Sequence, residues 1–112
     1  MCILIVPSTV NNLTCYALSS TQVHVAWQPP SQPNGIIRHY EIILHNINTL
    51  QSSSVFVTGN KTSVTLDHLH PNYQYSCYVA AHSVTRGNLT SFTQNISLPQ
   101  SGMCSLICNV IL

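Results

Sequence analysis

With 112 residues the chain has room for one domain with one core and too little for two. Charged residues are 4% of it, against roughly a quarter in an average globular chain, so solvation falls to Ser, Thr, Asn and Gln or to attached sugar. A net charge of +1 leaves no basic face to hold a phosphate backbone, which argues against nucleic acid as a partner.

Residues 1–6 form a short apolar flank. They lack the basic start and the length of a signal peptide, and they are too few to span a membrane. Pro7 opens the domain. Leu13, Cys15 and Leu18 read as inward positions of a first strand that kinks after Cys15, and Ser19-Ser20-Thr21 is a polar turn. From Gln22 to Trp27 the chain alternates, with Val23, Val25 and Trp27 on one face. Trp27 is placed to fill the centre of a core. Pro29-Pro30 ends the strand, because neither residue can donate to a ladder.

Asn34-Gly35 is a strong turn pair before a strand predicted over Ile37 to Leu44. In that strand Tyr40, Ile42 and Leu44 share one face, while His39, Glu41, Ile43 and His45 share the other. A polar loop from Asn46 to Ser54 leads to a short edge strand at Val55-Phe56-Val57. Gly59-Asn60 closes it, and Ser63 to Leu66 is a further short strand. The stretch LHPNYQYSCYVAA, Leu69 to Ala81, is the best-marked part of the chain. Pro71 presets a corner, and a strand follows in which Tyr75, Cys77, Val79 and Ala81 alternate with Ser76, Tyr78 and Ala80. The Tyr75 hydroxyl is near enough in sequence to reach back to the backbone of that corner, the logic of a tyrosine corner. Thr85 to Asn88 is a loop around Gly87, and Thr93 to Leu98 a final strand with Ile96 inward. Residues 100–112 are an apolar, Cys-containing tail, too short to span a membrane and read as unstructured or truncated. No helical periodicity and no internal repeat is present.

About seven short strands with regular turn signals predict an all-β, seven-stranded, immunoglobulin-like Greek-key sandwich. Such a run of strands leaves the two ends at opposite poles, which suits modules strung in series. The order of Pro7, Leu13, VHVAWQPP with Trp27, NGIIRHYEI with Tyr40, and LHPNYQY ending at Tyr75 resembles the fibronectin type III domain, over roughly residues 7–99. The resemblance implies a structural core that includes Trp27, Tyr40, Leu69, Pro71 and Tyr75. It also implies a non-catalytic protein-binding and spacer module of an extracellular adhesion protein or receptor ectodomain. Protein partners and neighbouring modules of the same type go with it. The alternative is an accessory or linker module of a secreted multidomain enzyme.

Three groups of residues are candidate functional positions, and three further sets are set aside. Asn12, Asn60, Asn88 and Asn95 each begin an Asn-x-Ser/Thr sequon and are glycosylation candidates. Cys15 and Cys77 read as two buried apolar thiols. A disulfide between them is the alternative, and it needs Cα atoms within about 7 Å, which strands in opposite sheets that do not face each other would not supply. His39, Glu41, Ile43, Tyr78 and His82 are expected outward on neighbouring strands, a low-charge surface suited to a protein partner. His68 and His70 lack a third ligand nearby, so neither metal nor cofactor is expected. Glu41 and Asp67 are the only carboxylates, and no nucleophile motif is present, so no catalytic residues are expected. Arg86-Gly87-Asn88 lies where some family members carry an integrin-binding Arg-Gly-Asp. The Asn88 amide lacks the carboxylate that would ligate the integrin's metal ion, so this loop reads as a turn.

Overall fold

Two alternating runs, one around Trp27 and one around Cys77, turn their apolar sides toward each other, and the remaining strands extend them into sheets. A computed structural model describes residues 6–84, 86–92 and 95–99. The strands among these residues are β1 Asn11–Ala17, β2 Val23–Gln28, β3 His39–Asn46, β4 Ser52–Thr58, β5 Ser63–Leu66, β6 Gln74–His82, β7 Thr90–Ser91 and β8 Ile96–Ser97. All pairings are antiparallel. The smaller sheet runs β1-β2-β5. The larger runs β4-β3-β6-β7, with β8 also on β6. This is a β-sandwich with no helix among the described residues.

The core lies between the sheets. Val23, Val25 and Trp27 of β2 meet Tyr40, Ile42 and Leu44 of β3 and Tyr75, Cys77, Val79 and Ala81 of β6, all buried. The Trp27 ring packs on Tyr40 with centroids 5.1 Å apart and planes tilted by 57°. Truncating an aromatic of this size in a core costs about 3–5 kcal/mol, a large part of a small domain's stability. Burial raises the Tyr40 hydroxyl above its ordinary 10.0, and its approach to Trp27 offsets part of the rise. No hydrogen bond of good geometry forms there, since Trp27 Nε1 is buried without a partner.

The corner before β6 is held by its own side chain. The Tyr75 hydroxyl, almost wholly buried, accepts the backbone N–H of His70 at 3.0 Å. Leu69 donates its N–H to Thr21 O at 3.1 Å, which ties the corner to the turn before β2. His68 and Asn72 take positive φ on either side of Pro71, as a sharp reversal requires.

Several boundaries differ from those expected. The irregularity in β1 lies between Asn11 and Thr14, at Asn12 with φ 52°, and not after Cys15. Unbroken alternation then runs through Leu13, Cys15 and Ala17 and leaves Leu18 40% exposed, not inward. The β3 strand runs two residues later than Ile37 to Leu44, and β4 is seven residues where three were expected. The reason is that β3 offers β4 a full ladder, from His39↔Thr58 to His45↔Ser52, and an edge strand needs little burial to hold it. The C-terminal part contributes two short pairings to β6, through Thr90–Ser91 and Ile96–Ser97. Residues 93–94 of the expected last strand lie outside the described residues. So do residues 1–5 and 100–112, with Cys2, Cys104 and Cys108.

Two measurements test the corner and the core. Tyr75→Phe should lower stability by about 1 kcal/mol in urea denaturation, because it removes one acceptor and nothing else. The Tyr40 shift has a definite sign. The unfolded chain ionises this phenol near 10.0 and the folded chain only above that. Its contribution is therefore complete below about pH 10 and is lost as pH rises further. Urea melts between about pH 8 and pH 11 should show a decline that Tyr40→Phe makes shallower.

Candidate protein-contact surface

The outer face of the larger sheet is built by the residues that alternate with the core positions of β3 and β6. Register places His39 beside His82 and Thr58, Glu41 beside Ala80 and Phe56, and Ile43 beside Tyr78 and Ser54. His39, Glu41, Ile43, Tyr78 and His82 thus share one continuous face. It is not uniform, because one end holds a tight polar cluster and the other is looser.

Glu41 points outward yet is only 6% exposed. Its cover is chemical. Arg86 donates from Nε to Oε1 at 3.0 Å and from Nη2 to Oε2 at 3.4 Å, a two-point grip. His82 Nε2 lies 3.0 Å from the same Oε1. A carboxylate oxygen only accepts, so that nitrogen carries the proton. Arg86 reaches this position through an isolated bridge to His82. Over the pair, the His39 and His82 rings stack at 4.5 Å, and Phe56 meets them edge-on at 5.2 and 5.8 Å. Phe56 remains 56% exposed. A shallow depression beside it is lined by Arg38, His39, Phe56, Val57 and Thr58. Toward the far end Ile43 and Tyr78 are half-buried, His45 Nδ1 lies 2.8 Å from Ser52 Oγ, and Ser76 Oγ donates to Asn95 Oδ1 at 3.4 Å.

Sequence reasoning alone did not place Phe56 and Arg86 on this face. The first was legible in principle, since a β3–β4 hairpin puts it opposite Glu41. The second depends on a bridge that leaves no periodic signal.

All four sequon asparagines lie at least partly open to solvent. Asn12 sits in the β1 bulge, and Asn60 follows β4 and accepts from Thr58 Oγ1 at 2.6 Å. Asn88 gives its N–H to Pro7 O at 3.1 Å, and Asn95 borders the outer face. In the Arg86-Gly87-Asn88 loop a Cβ on Gly87 would lie 2.6 Å from Pro7 O and 2.9 Å from Ala81 O, so close backbone approach explains the glycine. Cys15 and Cys77 are buried free thiols on opposite sheets. Both belong to the core cluster between the sheets, and Cys15 together with burial pushes the Cys77 thiol up from its ordinary 9.0. Among the described residues no cluster of three metal-ligating side chains forms, and no helix is long and apolar enough to cross a membrane.

The family model of the fibronectin type III domain matches residues 7–95. The chain belongs to the fibronectin type III domain family. It is 39% identical to human phosphatidylinositol phosphatase PTPRQ over 80 residues, 67% of this chain and 3% of that protein. It is 36% identical to mouse ephrin type-B receptor 3 over 78 residues, 70% of this chain and 8% of the receptor. Chicken cell adhesion molecule DSCAML1 is 32% identical over 88 residues, 76% of this chain and 4% of that protein. The chain therefore spans a small part of each relative. Among solved structures, the FN5 domain of Drosophila Lar has a TM-score of 0.68 at 25% identity, covering 82% of this chain and 98% of that one. The third fibronectin III domain of human KIAA0343 protein reaches 0.77 at 18% identity, covering 88% and 87%, a likeness of fold. A fibronectin type III module of this kind thus occurs within a receptor, a cell adhesion molecule and a phosphatase.

The Glu41 cluster makes a quantitative prediction. Arg86→Met leaves a buried carboxylate with His82 alone and should cost about 1–2 kcal/mol, less than a fully buried pair because the arginine is half exposed. Glu41→Met combined with Arg86→Met should recover most of that loss, read as a double-mutant cycle in urea.

Proposed function

We propose that this fibronectin type III domain is a non-catalytic protein-binding and spacer module of an extracellular adhesion protein or receptor ectodomain. The observation that supports the binding part is the outer face of β3, β4 and β6. Its one carboxylate is neutralised internally by Arg86 and His82, so the face shows a partner aromatic and imidazole surface with little net charge. Interface centres favour that composition: aromatic residues and arginine are enriched there, and unpaired charge is depleted. Phe56 is the exposed ring on the edge strand β4, with Ile43 and Tyr78 continuing the apolar strip along β3 and β6. The spacer part draws on the relatives, in each of which the matched segment is a small fraction of the whole. Neighbouring modules of the same type and a protein partner follow from that reading. Four solvent-accessible sequons and scarce charge support a secreted or cell-surface location, where sugar supplies solvation.

A second reading, an accessory or linker module of a secreted multidomain enzyme, draws on the phosphatase among the relatives. The coding sequence on either side separates the two: a catalytic domain next door favours the second, and tandem sandwich modules with a membrane span favour the first.

Expression through a eukaryotic secretory pathway, followed by mass measurement before and after deglycosylation, tests the location. A mass loss mapped to Asn12, Asn60, Asn88 or Asn95 is expected, and an unchanged mass would contradict a glycoprotein. For the surface, the secreted chain clustered as an antibody-Fc fusion is assayed against a panel of purified cell-surface ectodomains. Phe56→Ala should weaken a detected interaction by about tenfold or more, equal to about 1.4 kcal/mol, while Ile36→Ala in the loop before β3 should leave it unchanged.

A further inference from the structure

Among the described residues, the strands at the open edges of the two sheets differ in how well they are guarded. β5 has four residues, β7 and β8 have two each, and β1 carries the bulge at Asn12. Short or bulged edges of this kind, and edge charges, keep other chains from pairing with a sheet. β4 has none of these devices. It runs seven residues, Ser52–Thr58, in unbroken register against β3, its one partner strand among the described residues. From Leu50 to Asn60 the chain has no charged residue and no proline.

The ladder shows which backbone groups of β4 face outward. Asn46 N donates to Gln51 O at 2.7 Å at one end, and Gly59 N donates to Arg38 O at 3.0 Å at the other. Antiparallel ladders alternate, so Ser53, Val55 and Val57 turn their N–H and C=O toward β3, while Ser52, Ser54, Phe56 and Thr58 turn theirs to the open edge. Of these, the Thr58 C=O already accepts from Lys61 N at 3.0 Å. Side chains alternate with the same period. Val55 lies opposite inward Ile42 and points to the inner side, yet it is 38% exposed. It overhangs an open groove between the sheets, lined also by Ser53 and, from β5, by Val64 and Leu66.

We propose that β4 is a self-association edge, on which the β4 of a second copy pairs antiparallel about a two-fold axis at Val55. Centring there sets Ser54 opposite Phe56 and Ser52 opposite Thr58, so edge-facing groups of the two copies meet along all seven residues. Centring on Ser54 or Phe56 would leave one end of the strand unpaired. Val55 then faces its own copy in a pair without hydrogen bonds, where Cα atoms are about 4.5 Å apart and side chains come closest. Each covers the exposed surface of the other above the groove. On the outer face the two Phe56 residues are diagonal neighbours, about 7–8 Å apart and within reach of aromatic rings. Two-fold pairing sets like opposite like, so a charge at the axis would meet itself, and β4 has none. A net charge of +1 adds little repulsion between whole chains. Seven residues at about 3.4 Å each give a contact about 24 Å long, at the small end for interfaces, so the dimer is weak and concentration-dependent. This pairing uses the edge of the sheet and does not rest on the partner reading of its outer face.

The experiment is sedimentation equilibrium of the full chain. It carries Asn60→Gln, so that no sugar stands beside the end of β4, and is kept in reducing buffer, so that cysteines do not join copies. The mass should climb from monomer toward dimer between about 10 µM and about 1 mM. Ser54→Pro removes an edge-facing N–H and leaves the β3 ladder whole. That chain should still fold, as thermal melting checks, and should dimerise about tenfold more weakly or worse. Val55→Lys and Val55→Glu should each stay monomeric, while an equimolar mixture of the two should dimerise, because opposite charges then face each other at the axis. Ile43→Ala, on the outer face, should leave self-association unchanged. A monomer at every concentration would overturn the proposal and leave the edge to a strand of another protein. So would a dimer indifferent to Ser54→Pro and to both Val55 substitutions, or a Lys–Glu mixture that stays monomeric. An equal loss from Ile43→Ala would move the contact to the outer face and also overturn it. Self-association and binding to the ectodomain panel are read separately, so either can fail alone.

Discussion

The packing of Trp27 against Tyr40 is the contact on which the sandwich depends. It joins β2 of one sheet to β3 of the other, and the buried aliphatic residues of β2, β3 and β6 surround it. Only one polar atom of the pair is left unpaired. The indole N–H is buried without a partner, and the phenol is held in its neutral form by desolvation. Shape and apolar area outweigh that polar cost, since a buried aromatic contributes several kcal/mol and an imperfect hydrogen bond costs less. With the two sheets held face to face there, alternation decides every other position: each inward residue of β3 and β6 fixes an outward neighbour.

The outer face is therefore a by-product of the core register, and its chemistry sets it apart from ordinary sandwich surface. A carboxylate at Glu41 would normally stand in water. Here Arg86 and His82 close on it, and the His82 ring is itself stacked on His39. That arrangement removes the local charge while leaving the Phe56 edge in solvent. The tyrosine corner does comparable work at the other end, where the Tyr75 hydroxyl fixes how the chain enters β6 and so which residues of β6 point outward.

The parts of the fold that were legible in the sequence are those where one local rule suffices. The period-two runs Gln22–Trp27 and Tyr75–Ala81 give strands with a known buried face, and Pro29-Pro30, Asn34-Gly35 and Pro71 punctuate them by backbone geometry alone. The features that were not legible depend on a partner strand. The seven-residue length of β4 comes from the ladder that β3 offers to Ser52, Ser53 and Ser54, residues whose composition suggests a loop. The bulge at Asn12 has no turn pair to announce it, so the sequence gives no reason to exclude Leu18, which is exposed, from the inward set. Likewise Arg86 reaches Glu41 by a side-chain hydrogen bond across 45 residues.

The proposed meeting place with a partner is the outer face of the larger sheet, and comparing two positions tests it. A photo-crosslinking phenylalanine analogue is placed at Phe56 on that face, or at Tyr16 on the outer side of the smaller sheet, where the native side chain is 51% exposed. Each secreted chain is then bound to intact cells and irradiated. A discrete crosslinked surface protein is expected from position 56 and none from position 16. The same product from both positions, or from position 16 alone, would contradict it.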